Sequence, residues 1–358
     1  MLILTAPIFT GNKHLTLRKF YFYLLQYQGV MTSFLCCIAA ICSYQNSCAA
    51  ELNPSSLQVK DEETQLAKRL AVRELLEPNF EYALSTAYRK DNLSWSIADG
   101  ATSVASKVSW KDSHIALLSA DAKLYLSDGW QLRGRISTGA VRSGNNQDSD
   151  YAASNFSHEY SRSNNQSGGA VRDYSFSLGK KIRLPDLKVH TASYPMHIVP
   201  LAGLAINQQS FTMVDGNQTL PANGPFPNLN NSYDTKWQSM WLGMEGLFSV
   251  NDRITLTAIG EYHFADYSAE ANWNLRNDFA HPVSFKHTAK GHGKVASAGA
   301  VYRLNKNILF KTSLGYQSWH TGRGVDQTFF AGGASSNYTL NSVWWNSWTL
   351  FLGGAYQF

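Results

Sequence analysis

Two short acidic motifs in polar stretches are the residues of this chain best suited to chemistry. The first is Asp148-Ser149-Asp150, inside Asn145-Asn146-Gln147-Asp148-Ser149-Asp150-Tyr151. Carboxylates at i and i+2 on extended chain share one face. Held close they repel, so one carboxyl keeps its proton near neutral pH and the pair can manage a water molecule. The second is Asn277-Asp278-Phe279-Ala280-His281. An Asp beside a His orients the imidazole and supports it as a general base. Asp278 and His281 are three residues apart, so a regular strand points them to opposite faces and a bulge is needed to re-aim one. Taken singly, Asp-x-Asp also reads as solvated loop decoration or a calcium site. His287, His263 with Glu261, and Asp266 are substitutes in the same wall, read first as polar lining.

Other chemistries are excluded by what the chain lacks. It has no phosphate-cradling glycine loop, no His-Glu-x-x-His helix and no serine elbow. All four cysteines, Cys36, Cys37, Cys42 and Cys48, fall before the cut expected after Ala50, at Ser47-Cys48-Ala49-Ala50, a small-residue site of the kind signal peptidases cut. Phe34–Cys42 supplies a hydrophobic region of signal length, so residues 1–50 are expected to be a leader. Lys13, Arg18 and Lys19 lie well upstream of it, and Met31 is an alternative start. The chain after Ala50 then has no thiol for disulfides, nucleophilic attack or zinc, and no cofactor is expected. Neither Cys42 nor Cys48 follows a leucine-containing lipobox. Residues 51–358 carry 28 Lys and Arg against 26 Asp and Glu, a balance that does not suggest nucleic-acid binding.

The elements that must position the acids are strands. Ser342–Phe358 alternates Trp344, Trp348, Leu350, Leu352, Tyr356 and Phe358 against Ser347, Thr349, Gly353, Ala355 and Gln357. One face suits lipid, the other a polar lumen. The alternation recurs in Leu118, Ala120, Ala122 and Leu124 against Ser119, Asp121 and Lys123; in Leu132 and Ile136 against Arg133 and Arg135; in Met240, Leu242 and Met244 against Ser239 and Glu245; in Ile254 and Leu256 against Thr255 and Thr257; and in Phe310 and Leu314 against Lys311 and Ser313. Charges on one face of an apolar strand require a polar interior.

Short turns at Ser127-Asp128-Gly129, around Pro185-Asp186, at Asn251-Asp252-Arg253 and at Asn305-Lys306-Asn307 interleave with long polar segments near 91–106, 143–170, 210–234, 266–292 and 320–341. Four turns and five loops predict ten strands over 80–358, an antiparallel transmembrane β-barrel of the outer-membrane type with its long loops at the cell surface. A soluble β-sandwich is the competing architecture. Ahead of the barrel, Lys60–Glu77 ends at Pro78 and reads as a periplasmic helical arm or linker within 51–79. Ten strands are too few for a general porin, which places the work at the loops and leaves a narrow channel as an alternative. The tryptophans Trp237, Trp241, Trp273, Trp319, Trp344 and Trp348 suggest an interfacial girdle more readily than a carbohydrate platform, with Trp273 in a loop.

With these motifs the chain resembles the omptins, outer-membrane endopeptidases of Gram-negative bacteria. The resemblance runs over Phe80–Phe358 and includes Val108-Ser109-Trp110-Lys111, Gly315-Tyr316-Gln317-Ser318-Trp319 and the Gly354–Phe358 ending. It implies that an acid pair in the second loop, matched by Asp148 and Asp150, faces a His–Asp pair in the fourth, matched by Asp278 and His281. The implied activity is hydrolysis of basic peptides or proteins by a water held between them, with lipopolysaccharide as a required partner. The departure is the Asp278–His281 spacing, three where the omptin pattern has two. The rival expectation is a catalytically inactive omptin-like surface protein that binds ligands through its loops.

Overall fold

Alternating apolar and polar residues bury one face of a strand and leave the other to a different solvent. In the computed structural model, which describes residues 79–98, 105–152, 158–189 and 192–358, that alternation becomes long strands. They are β1 (Phe80–Ala98), β2 (Ser106–Tyr125), β3 (Trp130–Tyr151), β4 (Glu159–Lys180), β5 (Ile182–Val189), β6 (Ala192–Leu220), β7 (Gly224–Phe226), β8 (Asn231–Ser249), β9 (Ile254–Asn272), β10 (Phe285–Arg303), β11 (Ile308–Thr321), β12 (Gly324–Phe329) and β13 (Ser335–Gln357). Ten of them, β1, β2, β3, β4, β6, β8, β9, β10, β11 and β13, pair antiparallel with their neighbours. The ring closes where β13 pairs with β1, from Glu81 opposite Gln357 to Ala98 opposite Thr339. The three others extend ring strands: β5 and β7 pair with β6, and β12 bridges β10 and β13. The fold is therefore the expected ten-stranded transmembrane barrel. The leader over 1–50 and the arm expected over 51–79 lie outside the described residues, Asn79 excepted.

The outward face is the apolar one. Leu118, Ile136, Leu242, Leu314 and Leu352 are exposed, as are Trp344 and Trp348, about half accessible each. On β9 the outward apolar set ends at Phe264, before Asp266; on β3 it ends at Ala140, before Arg142 and Asn145. A barrel strand needs roughly 9–11 residues to cross a bilayer. Most ring strands here have 19 to 29, so about half of each stands beyond the lipid.

Three expectations need correction. The long polar segments are largely strand: β1 runs through Asp91 to Ala98, and β3 and β4 cover most of 143–170. Polar residues there face water or a polar lumen, so polarity did not mark the end of pairing. Pro185-Asp186 is no turn; it lies inside β5, where the register with β6 slips between Leu184 and Leu187. Trp237, Trp241 and Trp319 point into the barrel and are buried, and Trp273 is buried beside Phe285. Their parity opposes that of Met240, Leu242, Leu314 and Tyr316, so only Trp344 and Trp348 belong to a girdle.

Inward aromatics fill the outer half of the barrel. Trp110 stacks on Tyr233 at 5.0 Å, Trp237 packs on Trp319 at 5.5 Å, and Trp319 stacks on Trp345 at 5.5 Å. Beneath Trp345, Arg89 is fully buried, bonded to Asp91 (2.7 and 2.5 Å) and Asp173 (2.8 Å). Gln209 and the indole N–H of Trp345 also donate to Asp91, at 3.0 and 3.2 Å. The half nearer the short turns holds a cavity of about 470 Å³ with a charged lining that includes Lys123, Arg133, Glu245 and Lys311.

Candidate functional site

Asp148 and Asp150 reach the barrel mouth because β3 changes parity on the way up. Near the short turns its inward residues are Gln131 and Ser137; beyond the register slip between Val141 and Asn145 the inward residues include Asn146 and Asp148. β2 carries a matching slip between Lys111 and His114. The bulges re-aim both strands together. Gly144 sits at this crossing, where an added Cβ would lie 2.9 Å from Ser113 Oγ.

Above the lipid, Asp148 is half-buried and its Oδ2 accepts the indole N–H of Trp273 at 3.2 Å. Burial pushes the Asp148 carboxyl up to about 7, and the charge of Asp150 adds to the effect. The Trp273 hydrogen bond and the Arg276 charge pull it back. Asp150 is also raised by burial, against a hydrogen bond from Ser106 and the same Arg276 charge. The result is an acid pair that holds a proton at neutral pH, facing an indole and a guanidinium.

The other two expected site residues lie in the connection from β9 to β10, a loop of two tight turns tied by Arg276 N–H to Trp273 O (3.0 Å) and Phe279 N–H to Arg276 O (3.0 Å). Asp278 is gripped by Arg276, whose Nε and Nη2 donate to its two carboxylate oxygens at 2.8 and 2.7 Å, which holds its carboxyl below the usual range. Arg276 lies over the Phe279 ring at 4.1 Å. His281 is exposed, and its Nδ1 is 2.7 Å from Asn272 Oδ1. Asp278 and His281 are thus partnered elsewhere, while Asp148 and Asp150 stand together.

Among the described residues two imidazole–carboxylate pairs do form, both inside the barrel. His287 Nε2 is 2.8 Å from Asp326 Oδ2, and its Nδ1 is 2.8 Å from Tyr233 Oη, which is 2.7 Å from Tyr267 Oη. This chain is fully buried under Trp95 and Phe285. Deeper, His263 Nε2 is 3.0 Å from Glu261 and its Nδ1 is 3.0 Å from Ser239. Asp266 is exposed and faces Lys290 at 3.6 Å. Sequence reasoning missed Arg276, Asp326 and the Arg89–Asp91 pair. Arg89 with Asp91 and Arg276 with Asp278 each left a signal, an i, i+2 opposite-charge pair, the former on the inward parity of β1; Asp326 left none. Among the described residues, no three His, Cys, Asp or Glu side chains converge as metal ligands.

A family model described as Protochlamydia outer membrane protein matches residues 83–358. No curated protein sequence matches the chain. Among solved structures, the outer membrane protease OmpT of Escherichia coli superposes with a TM-score of 0.64 at 14% identity, covering 78% of this chain and 97% of that one. The translocator domain of the autotransporter NalP from Neisseria meningitidis gives 0.35 at 10% identity, covering 84% and 97%. OprG from Pseudomonas aeruginosa gives 0.28 at 13%, covering 79% and 97%. The likeness to OmpT is one of fold and does not extend to membership of the omptins.

Proposed function

The chain belongs to the Protochlamydia outer membrane protein family, and from that premise we propose a surface protein whose external rim binds basic peptides or proteins at Asp148 and Asp150 without cleaving them. The observation that carries this reading is what faces the acid pair. In the hydrolysis that the resemblance implies, an imidazole across from the acid pair takes the proton of the water. Opposite these acids stand Trp273 and Arg276, which only donate. The expected base, His281, is held by Asn272, and the buried imidazoles are walled off by aromatic rings.

The endopeptidase reading assigns Asp148, Asp150, Asp278 and His281 as catalytic residues, with lipopolysaccharide as partner. It is favoured by the acid pair and the raised Asp148, and it requires Asp278 to leave Arg276 and turn to His281. A quenched fluorescent dibasic peptide, offered to the refolded barrel with lipopolysaccharide, separates the two. The binding reading expects no cleavage; cleavage lost in D148A/D150A would establish the protease.

A narrow channel is favoured by one observation, the charged cavity of about 470 Å³ in the lumen. It requires the Trp237–Trp319–Trp345 layer above that cavity to part. Single-channel conductance in a planar bilayer tests it, and a W319A variant that conducts more than wild type identifies the layer as the barrier.

A further inference from the structure

On the outer surface of the barrel two histidines face each other across a strand pair. His292 on β10 lies directly opposite His320 on β11. Their ring centroids are 5.8 Å apart and the rings stand edge to face at 87°. Each is steadied from its far side by an aromatic ring. His320 stacks on Trp344 at 3.8 Å, and His292 lies parallel to Tyr262, 8° off, at 6.0 Å.

These two differ from His114 on β2, His263 on β9, His281 in the β9–β10 connection and His287 on β10. His114, His263, His281 and His287 each have a ring nitrogen hydrogen-bonded to a protein atom. Among the described residues His292 and His320 have no such partner on either nitrogen, and both are half-buried. Stacking fixes a ring's plane while leaving its in-plane lone pairs free, the condition a metal ligand needs.

We propose that His292 and His320 form a two-histidine clamp for a borderline divalent cation of the Zn²⁺ or Cu²⁺ class. Neutral imidazole suits these ions, and the Irving–Williams order places Cu²⁺ highest for a nitrogen pair. Two protein ligands leave the other coordination positions to water oxygens. The surrounding charge tempers the affinity. Lys294 and Lys290 flank His292 at i+2 and i−2 on the same face, although Lys290 is turned to Asp266 at 3.6 Å. The site sits level with Trp344 at the outer edge of the apolar band, where a bound ion meets the aqueous side.

The test is a Cu²⁺ titration of the untagged, refolded full chain, read by equilibrium dialysis and by the electron paramagnetic resonance of the bound ion. The clamp predicts one tight ion per barrel with nitrogen hyperfine structure from imidazole. H292Q and H320Q are each expected to weaken it at least tenfold, and the double variant no more than either alone. W348F, on the same outward face but in contact with neither histidine, is expected to fold and bind within about twofold of wild type, which separates loss of a ligand from a damaged surface. Absence of a stoichiometric ion in the wild type, or single variants that bind as the wild type does, overturns the proposal.

Discussion

The indole N–H of Trp273, just past β9, reaches across the barrel mouth to Oδ2 of Asp148 on β3, 3.2 Å away. This contact joins the two walls that sequence reasoning set opposite each other, through a residue pair it did not foresee. It also opposes burial, which drives the Asp148 carboxyl up to about 7.

W273F keeps an aromatic ring, though a smaller one, and removes the donor. The Asp148 carboxyl then rises further, and the midpoint of pH-dependent basic-peptide binding moves up by about 0.5–1 pH unit, equivalent to about 1 kcal/mol. Affinity at pH 9, where the acid is ionised in both proteins, stays within about twofold. Titrating binding between pH 5 and 9 checks it.

Asp148 also makes stability depend on pH. Its carboxyl is raised in the folded barrel from 3.8 to about 7, so the folded state binds the proton more tightly than the unfolded one. The contribution of Asp148 to stability is therefore greatest below about pH 4, falls as pH rises toward 7 and levels off above. D148N lacks that fall. Its unfolding temperature in detergent, relative to wild type, is expected to be higher at pH 7.5 than at pH 4.5.

Arg89 is the sole guanidinium bonded to the buried carboxylate of Asp91 and the half-buried one of Asp173 among the described residues. R89M leaves both uncompensated and is expected to cost about 3–5 kcal/mol. The triple variant R89M/D91N/D173N removes the stranded charges with it and is expected to cost less than R89M alone. Urea midpoints of the refolded barrel measure both.

Inward and outward tryptophans separate in the same assay. W319A opens a hole in the stacked layer and is expected to cost about 3–5 kcal/mol. W348A, on an exposed lipid-facing ring, is expected to stay near or below about 1 kcal/mol.

Much of this barrel was legible in its sequence because period two is a direct image of a strand's two solvents. Ser342–Phe358 predicts the outward Trp344, Trp348, Leu350 and Leu352 and the inward Ser347, Thr349 and Gln357, as observed. The same parity, applied to Met240 and Leu242, already turns Trp237 and Trp241 inward, against the girdle they suggested. Strand ends were not legible. Once β1 and β3 leave the lipid their outward residues turn polar, as Asn92, Ser94 and Arg142 show, so Asp91 and Asn145–Asp150 read as loop while remaining paired. Of the candidate site, Asp148 and Asp150 share a rim as their i, i+2 spacing predicts, with a bulge thirteen residues into β3 turning them inward. The partners of Asp278 and His281 were not legible. Arg276 lies two residues from Asp278 and could be seen; Asn272, nine residues before His281, meets it only through the fold of the loop.

The central claim is that the acid pair of the rim binds basic ligands and does not hydrolyse them. Fluorescence anisotropy of an end-labelled dibasic peptide with the refolded barrel, followed by mass analysis of the recovered peptide, tests it most directly. The account predicts saturable binding, weakened at least tenfold in D148N/D150N, with the peptide recovered intact. Binding unchanged in the double variant, or a peptide recovered cut by wild type and intact from the variant, contradicts it.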